Sequence, residues 1–208
     1  MLISPSIASS DVLRVADELD YIDKYFDNVH IDIEDGVAVH GISFGMKLTQ
    51  KICSYSTSKE KSIHLEVFDP LSYIDDLLTL DFDVVFIQIS HLKDPLPVIE
   101  KFKEKGLRTG INIRIEDTER ENFKELLDTC DDFLVSTTTY RNGYEEYLTG
   151  MEQLAIDLSG HKKIWVDGHI GYEEYCRLNS TGIYCAVMGR AIFEDKKLAV
   201  ERYCNRED

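Results

Sequence analysis

The sequence lacks paired cysteines, long apolar runs and a targeting segment, and each absence removes a class of protein. Its five cysteines are odd in number and show no CxxC spacing, so we expect thiols in a reducing cytoplasm rather than a disulfide scaffold. No apolar run approaches the about 18 residues that a bilayer span needs. The start has neither the basic nor the apolar region of a signal peptide. These observations predict a cytoplasmic protein.

Basic residues are also scarce. Lys and Arg number 23 against 39 Asp and Glu, which gives a net charge of −16 at pH 7. Nucleic acid is disfavoured as a partner because its phosphates must be neutralised by basic side chains. An anionic membrane surface is disfavoured for the same reason. If the ligand is itself an anion, the positive charge that holds it must be concentrated locally.

The phosphate-binding motif GxxxxGKS/T is absent, and so is GxGxxG after the first strand. The sequence has instead a regular alternation of short β-rich runs with helical patterns. Eight β-rich runs recur at intervals of roughly 25 residues, from LISPSIA to IYCAVMG, and eight helical patterns follow them, the last being FEDKKLAVERYC. This alternation predicts an α/β fold, a single-domain (β/α)8 TIM barrel over residues 1–208. An open doubly wound sheet is the alternative.

Polar side chains gather where the predicted strands end. In a barrel the loops after the strands converge on one mouth, so chemistry is expected there. Read with period two, VHIDIEDG at residues 29–36 places ionisable groups on one face and β-branched groups on the other. Because the polar positions recur only at carboxyl ends, a solvated face does not explain them. The inward polar residues are Ser6, His30, Asp32, Glu34, His64, Glu66, Gln88, Ser90, Ser136, Thr138, Asp167 and His169.

Two imidazoles and two carboxylates from three strand ends are expected to meet in this mouth. They are His30, Asp32, His64 and Asp167. Such a donor set favours one divalent ion, Zn²⁺ first, with Mn²⁺, Fe²⁺ or Co²⁺ in looser geometry. The alternative is a buried His–Asp arrangement without metal, because a single inward histidine is more often hydrogen-bonded in the core.

Asp32 and Asp167 also suit proton transfer. Two carboxylates on opposite sides of a substrate carbon can act as base and acid, one removing a proton and the other returning it on the far face. A metal would stabilise the enediolate between the two steps as a Lewis acid. The predicted reaction is inversion at a carbon next to a carbonyl.

Five blocks of the chain resemble the ribulose-phosphate 3-epimerase family. They are SPSI at residues 4–7, VHIDIEDG at 29–36, HLEVFDP at 64–70, WVDG at 165–168 and AVMGRAIF at 186–193. The resemblance implies a metal-dependent barrel that interconverts ribulose 5-phosphate and xylulose 5-phosphate and forms a homo-oligomer. It implies that the metal ligands are His30, Asp32, His64 and Asp167, that the two aspartates are also acid and base, and that Ser6 touches the substrate.

The chain departs from the family pattern around the substrate. Glu34, Glu66 and Ser136 stand where the family usually has methionine, and two added carboxylates change the pocket charge by up to −2. The glycine-rich lid after strand six is replaced by TYRNGYEEY at residues 139–147, and His169 replaces the second glycine of VDGG. The resemblance therefore implies an intact proton-transfer core with a rebuilt substrate wall and phosphate grip.

A phosphate still has a candidate site at the backbone amides of Gly168 and Gly189. Arg190, with Arg141, would supply the local positive charge that an anionic ligand needs. The alternative for Arg190 is a surface ion pair with Glu194.

Three other functions stay open beside a ketose-phosphate epimerase. An aldolase or decarboxylase of the hexulose-phosphate type is disfavoured, because DIEDG lacks the lysine of the DxKxxD signature. An epimerase acting on a different ketose or a substituted sugar fits the rebuilt wall. A non-catalytic sugar-binding barrel is the third, although it would have no reason to keep all four candidate ligands.

Overall fold

The computed structural model describes residues 1–141 and 144–204. Strands alternate with helices along the chain, as the sequence predicts. The strands are β1 (Leu2–Pro5), β2 (Asn28–Glu34), β3 (Glu60–Glu66), β4 (Val84–Gln88), β5 (Thr109–Ile113), β6 (Asp132–Ser136), β7 (Thr138–Arg141), β8 (Tyr144–Tyr147), β9 (Lys163–Asp167) and β10 (Cys185–Met188).

The helices cover the outside of the sheet. They are α1 (Val15–Tyr25), α2 (Met46–Tyr55), α3 (Ile74–Leu77), α4 (Leu96–Glu104), α5 (Phe123–Thr129), α6 (Thr149–Ser159), α7 (Tyr172–Leu178), α8 (Arg190–Phe193) and α9 (Lys196–Tyr203). None of these combines the length and hydropathy that a bilayer-crossing helix needs. The predicted last helix, FEDKKLAVERYC, is present as α9, which begins only at Lys196 because the Asp195 side chain accepts a hydrogen bond from the Leu198 amide.

Eight parallel strands form the barrel in the order β1-β10-β9-β6-β5-β4-β3-β2. The two ends of this sheet are joined by one parallel bridge between Ser6 and His30, so the barrel is nearly closed. This arrangement confirms the predicted (β/α)8 barrel against the open doubly wound sheet. The remaining strands, β7 and β8, form an antiparallel hairpin after β6. The sequence predicts Thr138 at the end of β6, but in the structure this residue begins β7.

Apolar side chains fill the barrel below its mouth. Phe86 and Trp165 meet edge to face inside the barrel, with ring centroids 5.3 Å apart, and both are fully buried. Gly110 on β5 passes the same Phe86 ring so closely that a Cβ there would lie 2.5 Å from it. The β-branched residues of the strands point outward under the helices, as Ile31 and Ile63 do. The polar strand ends therefore lie above an apolar floor.

A charged cluster closes the opposite, amino-terminal end of the barrel. The buried Glu60 carboxylate accepts hydrogen bonds from the Tyr184 hydroxyl at 2.6 Å and from Lys163 Nζ at 3.0 Å. Arg108 reaches the same carboxylate at 3.3 Å and also pairs with Asp132 at 2.6 Å. Because residues from several strands contribute to this cluster, it ties distant parts of the barrel wall together.

Replacing Glu60 by glutamine keeps the size of the side chain and removes the charge that Lys163 contacts. We expect the metal-free protein to lose about 1–3 kcal/mol of unfolding free energy, the usual cost of leaving a buried partner unsatisfied. Urea unfolding followed by the fluorescence of Trp165, the single tryptophan, measures this loss. Glu104→Gln is the control, because the ion pair of Glu104 with Lys101 is exposed and contributes little. Equal losses in both variants would contradict the role of the cluster.

Candidate functional site

Four predicted metal ligands meet at the carboxyl ends of β2, β3 and β9. One ligand atom from each of His30, Asp32, His64 and Asp167 lies within 4.8 Å of all the others. The register explains this convergence, since Asp32 lies beside His64 on neighbouring strands and both point into the mouth. The fold therefore brings together side chains that are up to 137 positions apart (30 to 167) in the chain.

The hydrogen bonds around His30 aim one ring nitrogen at this point. Its Nδ1 lies 2.7 Å from the Ser62 hydroxyl, which donates in turn to the Val29 carbonyl at 3.4 Å. Ser62 must then accept from Nδ1–H, which leaves Nε2 to face the site. That Nε2 faces Asp32 Oδ1 at 3.2 Å and makes no hydrogen bond. An outer partner that fixes the tautomer of a ligating histidine is typical of metal sites.

His64 supplies the test of whether an ion fits. Neither of its ring nitrogens makes a hydrogen bond, although the residue is only 3% exposed. Buried polar atoms without partners are rare in native proteins, and a bound ion is one way to satisfy them. Burial lowers the pKa of His64, but Glu66 and Asp32 beside it raise the pKa to about 9. The site therefore favours positive charge, and a divalent cation fits it.

The two aspartates differ in their affinity for a proton. Burial raises the pKa of Asp32, but the neighbouring imidazoles of His30 and His64 outweigh burial and hold it well below its ordinary value. Burial raises the pKa of Asp167, and the negative charge of Asp32 raises it further. Two carboxyl groups whose pKa values are driven apart suit the roles of base and acid.

The Ser6 hydroxyl contacts the site directly. It donates a hydrogen bond of 2.6 Å to Asp32 Oδ2, while Oδ1 of the same carboxylate faces the two imidazoles. Ser6 therefore fixes the orientation of Asp32 from the seam between β1 and β2. Thr137 fixes the backbone of the other aspartate, because its amide donates to the Asp167 carbonyl at 2.7 Å.

Glu34 and Glu66 lie side by side above the floor. They are paired in register at the ends of β2 and β3, where both side chains are largely withdrawn from water. Burial raises the pKa of Glu66 to about 7, and burial followed by the charge of Asp32 raises the pKa of Glu34. The wall that these residues form is polar and acidic, whereas the methionines of the family pattern would make it apolar.

One cavity of about 1120 Å³ at the barrel mouth is lined by Ser6, Asp32, Glu34, His64, Glu66 and Asp167. His30 lies beneath the cavity floor and is fully buried. The predicted site residues on the cavity wall are Ser6, Asp32, Glu34, His64, Glu66, Ser136, Asp167, Gly168, His169, Gly189 and Arg190. Their individual roles stay predictions.

The far end of the cavity holds a small charged cluster. Arg190 donates to Glu145 at 2.6 Å, and His169 Nδ1 lies 3.3 Å from the same carboxylate. The expected surface pair of Arg190 is therefore with Glu145 of β8 and not with Glu194. The side chain of Arg141 lies outside the described part of the chain.

The turn after β9 differs from the predicted strand end. The strand ends at Asp167, and Gly168 and His169 follow with φ of +112° and +56°. A Cβ at position 168 would lie 2.5 Å from the Thr138 hydroxyl, so only glycine fits. His169 adopts a backbone conformation that favours glycine, which is strained for a histidine. The expectation that His169 continues the strand is therefore wrong.

Sequence reasoning missed three residues near the site: Asn112 and Arg114 at β5, and Ser62, which contacts His30. Asn112 is fully buried and donates to the Ser136 hydroxyl at 2.9 Å, and Arg114 at the end of the same strand lines the cavity. The signal for Asn112 was present, since it is the single polar side chain between Ile111 and Ile113. Ser62 offered no such signal, because its role depends on pairing with another strand.

Comparisons with known proteins identify a family for the chain. A model of the ribulose-phosphate 3 epimerase family matches residues 2–193. The ribulose-phosphate 3-epimerase of Helicobacter pylori is 24% identical over 97% of this chain and 95% of its own length. That of Synechocystis is 23% identical over 93% of this chain and 87% of its own.

Solved structures resemble the chain in fold alone. Phosphoribosyl anthranilate isomerase from Thermococcus kodakaraensis gives a TM-score of 0.67 at 10% identity, covering 95% of this chain and 94% of its own. A mutant tryptophan synthase alpha-subunit from Pyrococcus furiosus gives 0.69 at 14% identity, covering 96% and 93%. Because the family model spans nearly all of the barrel and its relatives match over most of their length, the chain belongs to the ribulose-phosphate 3-epimerase family, a family of isomerases.

Proposed function

We propose that this chain is a metal-dependent epimerase that inverts C3 of a ketose phosphate of the ribulose 5-phosphate/xylulose 5-phosphate type. The observation that carries the proposal is the meeting of Asp32 and Asp167 with two imidazoles on the floor of a sugar-sized cavity. Family membership supports the same reaction. We propose further that the protein acts in the cytoplasm as a homo-oligomer, on the family resemblance and the reducing cysteine pattern.

The two aspartates would carry the proton. Asp32, whose pKa is depressed, is ionised and suits removal of the C3 proton. Asp167, whose pKa is raised, takes up a proton more readily than Asp32 and suits its delivery to the opposite face. The two residues exchange roles in the reverse reaction, as an epimerisation requires. Ser6 keeps the Asp32 carboxylate in place throughout.

His30, Asp32, His64 and Asp167 would hold one divalent ion. Zn²⁺ suits two imidazoles and two carboxylates, with Mn²⁺, Fe²⁺ and Co²⁺ as alternatives. Bound there, the ion would supply Lewis-acid stabilisation of the substrate oxygens as they become negative.

The remaining predicted site residues would position the substrate. Glu34, Glu66 and Ser136 border the space above the floor, where the sugar hydroxyls would lie. The phosphate would lie at the far end, against the backbone of Gly168 and Gly189 with His169 and Arg190 beside it. The Glu145 carboxylate contacts Arg190 there, so a phosphate must displace it.

A second candidate is an epimerase acting on a different ketose or a substituted sugar. The contact of Glu145 with Arg190 favours it, because that carboxylate already neutralises the cation that a phosphate would need. The acidic pair Glu34 and Glu66 also suits a substrate rich in hydrogen-bond donors, or one that carries an amino group.

Deuterium wash-in at C3 tests the reaction. In D₂O the wild type is expected to exchange the C3 hydrogen of a ketose phosphate and to invert C3, and Asp167→Asn to invert C3 about 10²–10⁴-fold more slowly, the usual contribution of a positioned acid or base. Asp157→Asn on α6 is the control, because that residue lies on the outer helical layer, far from the mouth. A panel of ketose phosphates and free ketoses separates the two candidate substrates. No exchange with any of them by the metal-loaded protein would rule out epimerisation.

Metal content tests the ion site. We expect one tightly bound divalent ion per chain in the wild type and none in His30→Ala or Asp167→Ala, because each variant loses a ligand and leaves the others unsatisfied. Elemental analysis after dialysis measures this, and His161→Ala serves as the control because His161 is exposed on the surface. A metal-free wild type, even after incubation with Zn²⁺ or Mn²⁺, is the result that would refute the site.

Arg190→Gln tests the phosphate end. We expect KM for a ketose phosphate to rise by at least about tenfold, because a hydrogen bond to a charged group contributes about 1.5–3 kcal/mol. KM for the corresponding free ketose should not change. Arg202→Gln on α9 is the matched control, since Arg202 lies over the Tyr172 ring. Equal changes in KM for both substrates would show that Arg190 does not contact the phosphate.

A further inference from the structure

The distances around His64 indicate a fifth ligand atom. His30 Nε2 lies 3.2 Å from Asp32 Oδ1, His64 Nδ1 lies 3.5 Å from that oxygen, and the same Nδ1 lies 3.4 Å from Glu66 Oε1. Ligands about 2.0–2.2 Å from one ion are about 3–3.5 Å from each other, by the geometry of the bond lengths. The distance from Glu66 Oε1 to His64 Nδ1 therefore falls in the same range as the other two, although Glu66 is not among the four residues whose ligand atoms all lie within 4.8 Å of one another.

The contacts of His64 Nδ1 with Asp32 and Glu66, at 3.5 Å and 3.4 Å, are longer than an ordinary hydrogen bond of about 2.7–3.2 Å. His64 Nδ1 faces two carboxylate oxygens, from Asp32 and Glu66, and makes a hydrogen bond with neither. A protonated Nδ1 would be expected to point its hydrogen at one of them. The atoms approach each other without donor geometry, as ligands do when they share a central ion.

The carboxylates of the floor also lack basic partners, which favours a bound cation. Within the described ranges, no Lys or Arg nitrogen lies within 4.0 Å of the carboxylates of Asp32, Glu66 or Asp167, and the nitrogens closest to Asp32 and Glu66 belong to imidazoles. Carboxylates withdrawn from water are normally paired with cations or bound to metals. A dication in contact with Glu66 satisfies this requirement without a basic side chain.

We propose that Glu66 is a fifth ligand of the divalent ion, bound through Oε1 beside His64 Nδ1. The inference rests on the ion site of the proposed function and extends it. Glu34, the neighbour of Glu66 in register, has no imidazole nitrogen within 4.0 Å among the described residues and stays part of the substrate wall. A methionine at position 66 would leave that ligand position empty.

A fifth protein ligand changes which ion the site prefers. Zn²⁺ is commonly bound by four ligands in tetrahedral geometry, whereas carboxylate-rich sites with more ligands suit Mn²⁺ and similar ions. Glu66 would therefore contribute more to the binding of Mn²⁺ than to that of Zn²⁺, because it would raise the number of protein ligands from four to five.

The visible spectrum of the Co²⁺-substituted protein reports coordination number without any measurement of activity. We expect weak absorption from the wild type, typical of five- or six-coordinate Co²⁺, and intense absorption from Glu66→Met, typical of four-coordinate Co²⁺. Glu34→Met is the matched control and should keep the spectrum of the wild type. Glu66→Gln keeps the shape of the side chain and serves as a second, milder variant. The circular dichroism spectrum of each metal-free protein shows whether the variant is folded.

Metal competition gives a second readout. Glu66→Met should weaken Mn²⁺ binding by at least about 100-fold. Removing only the hydrogen-bond partner of a metal ligand already costs up to about 100-fold in affinity, and loss of a ligand should cost at least as much. The loss for Zn²⁺ should be smaller, so the ratio of the Mn²⁺ and Zn²⁺ dissociation constants rises.

The outcomes separate this inference from the proposed function. If Glu66→Met keeps both the spectrum and the Mn²⁺ affinity of the wild type while His30→Ala abolishes binding, Glu66 is not a ligand and the four-ligand site stands. If the wild type binds no Co²⁺ at all, the inference and the ion site fail together.

Discussion

The contact of the Asp32 carboxylate with two imidazoles is the interaction on which the rest of the site depends. A buried carboxylate is costly unless it is paired, and Asp32 is paired on one oxygen with His30 and His64 and on the other with Ser6. These partners keep it ionised while Asp167, within 4.8 Å across the floor, is driven toward the protonated form. The asymmetry between two identical side chains is therefore a property of their surroundings.

The barrel and the floor of its mouth could be predicted from the sequence because both follow from local patterns. Period-two alternation assigns the inward face of β2 without knowledge of its neighbours, and parallel strands bring their carboxyl ends together in any barrel. Asp32 and His64 are adjacent in register for that reason. The family model then confirmed the resemblance that the strand-end motifs had indicated.

The far end of the cavity could not be predicted in the same way, because it is built by side chains whose approach depends on tertiary structure. Glu145 belongs to a hairpin, and nothing in TYRNGYEEY indicates that its carboxylate reaches Arg190, 45 positions along the chain. The left-handed backbone of His169 is likewise imposed by the turn and opposes the preference of the residue. The helix break at Asp195 depends on a capping hydrogen bond that competes with a continuous helical pattern.

The single bridge that joins β1 to β2 has a consequence for motion. Every other neighbouring pair of barrel strands shares a ladder of several residues, whereas this seam has one bridge, between Ser6 and His30. Both residues also belong to the floor, one through Asp32 and the other as a candidate ligand. If the proposed ion is bound, opening of the seam and loss of the ion would be linked equilibria, since whatever binds the closed barrel more tightly than the open one also slows amide exchange along β1.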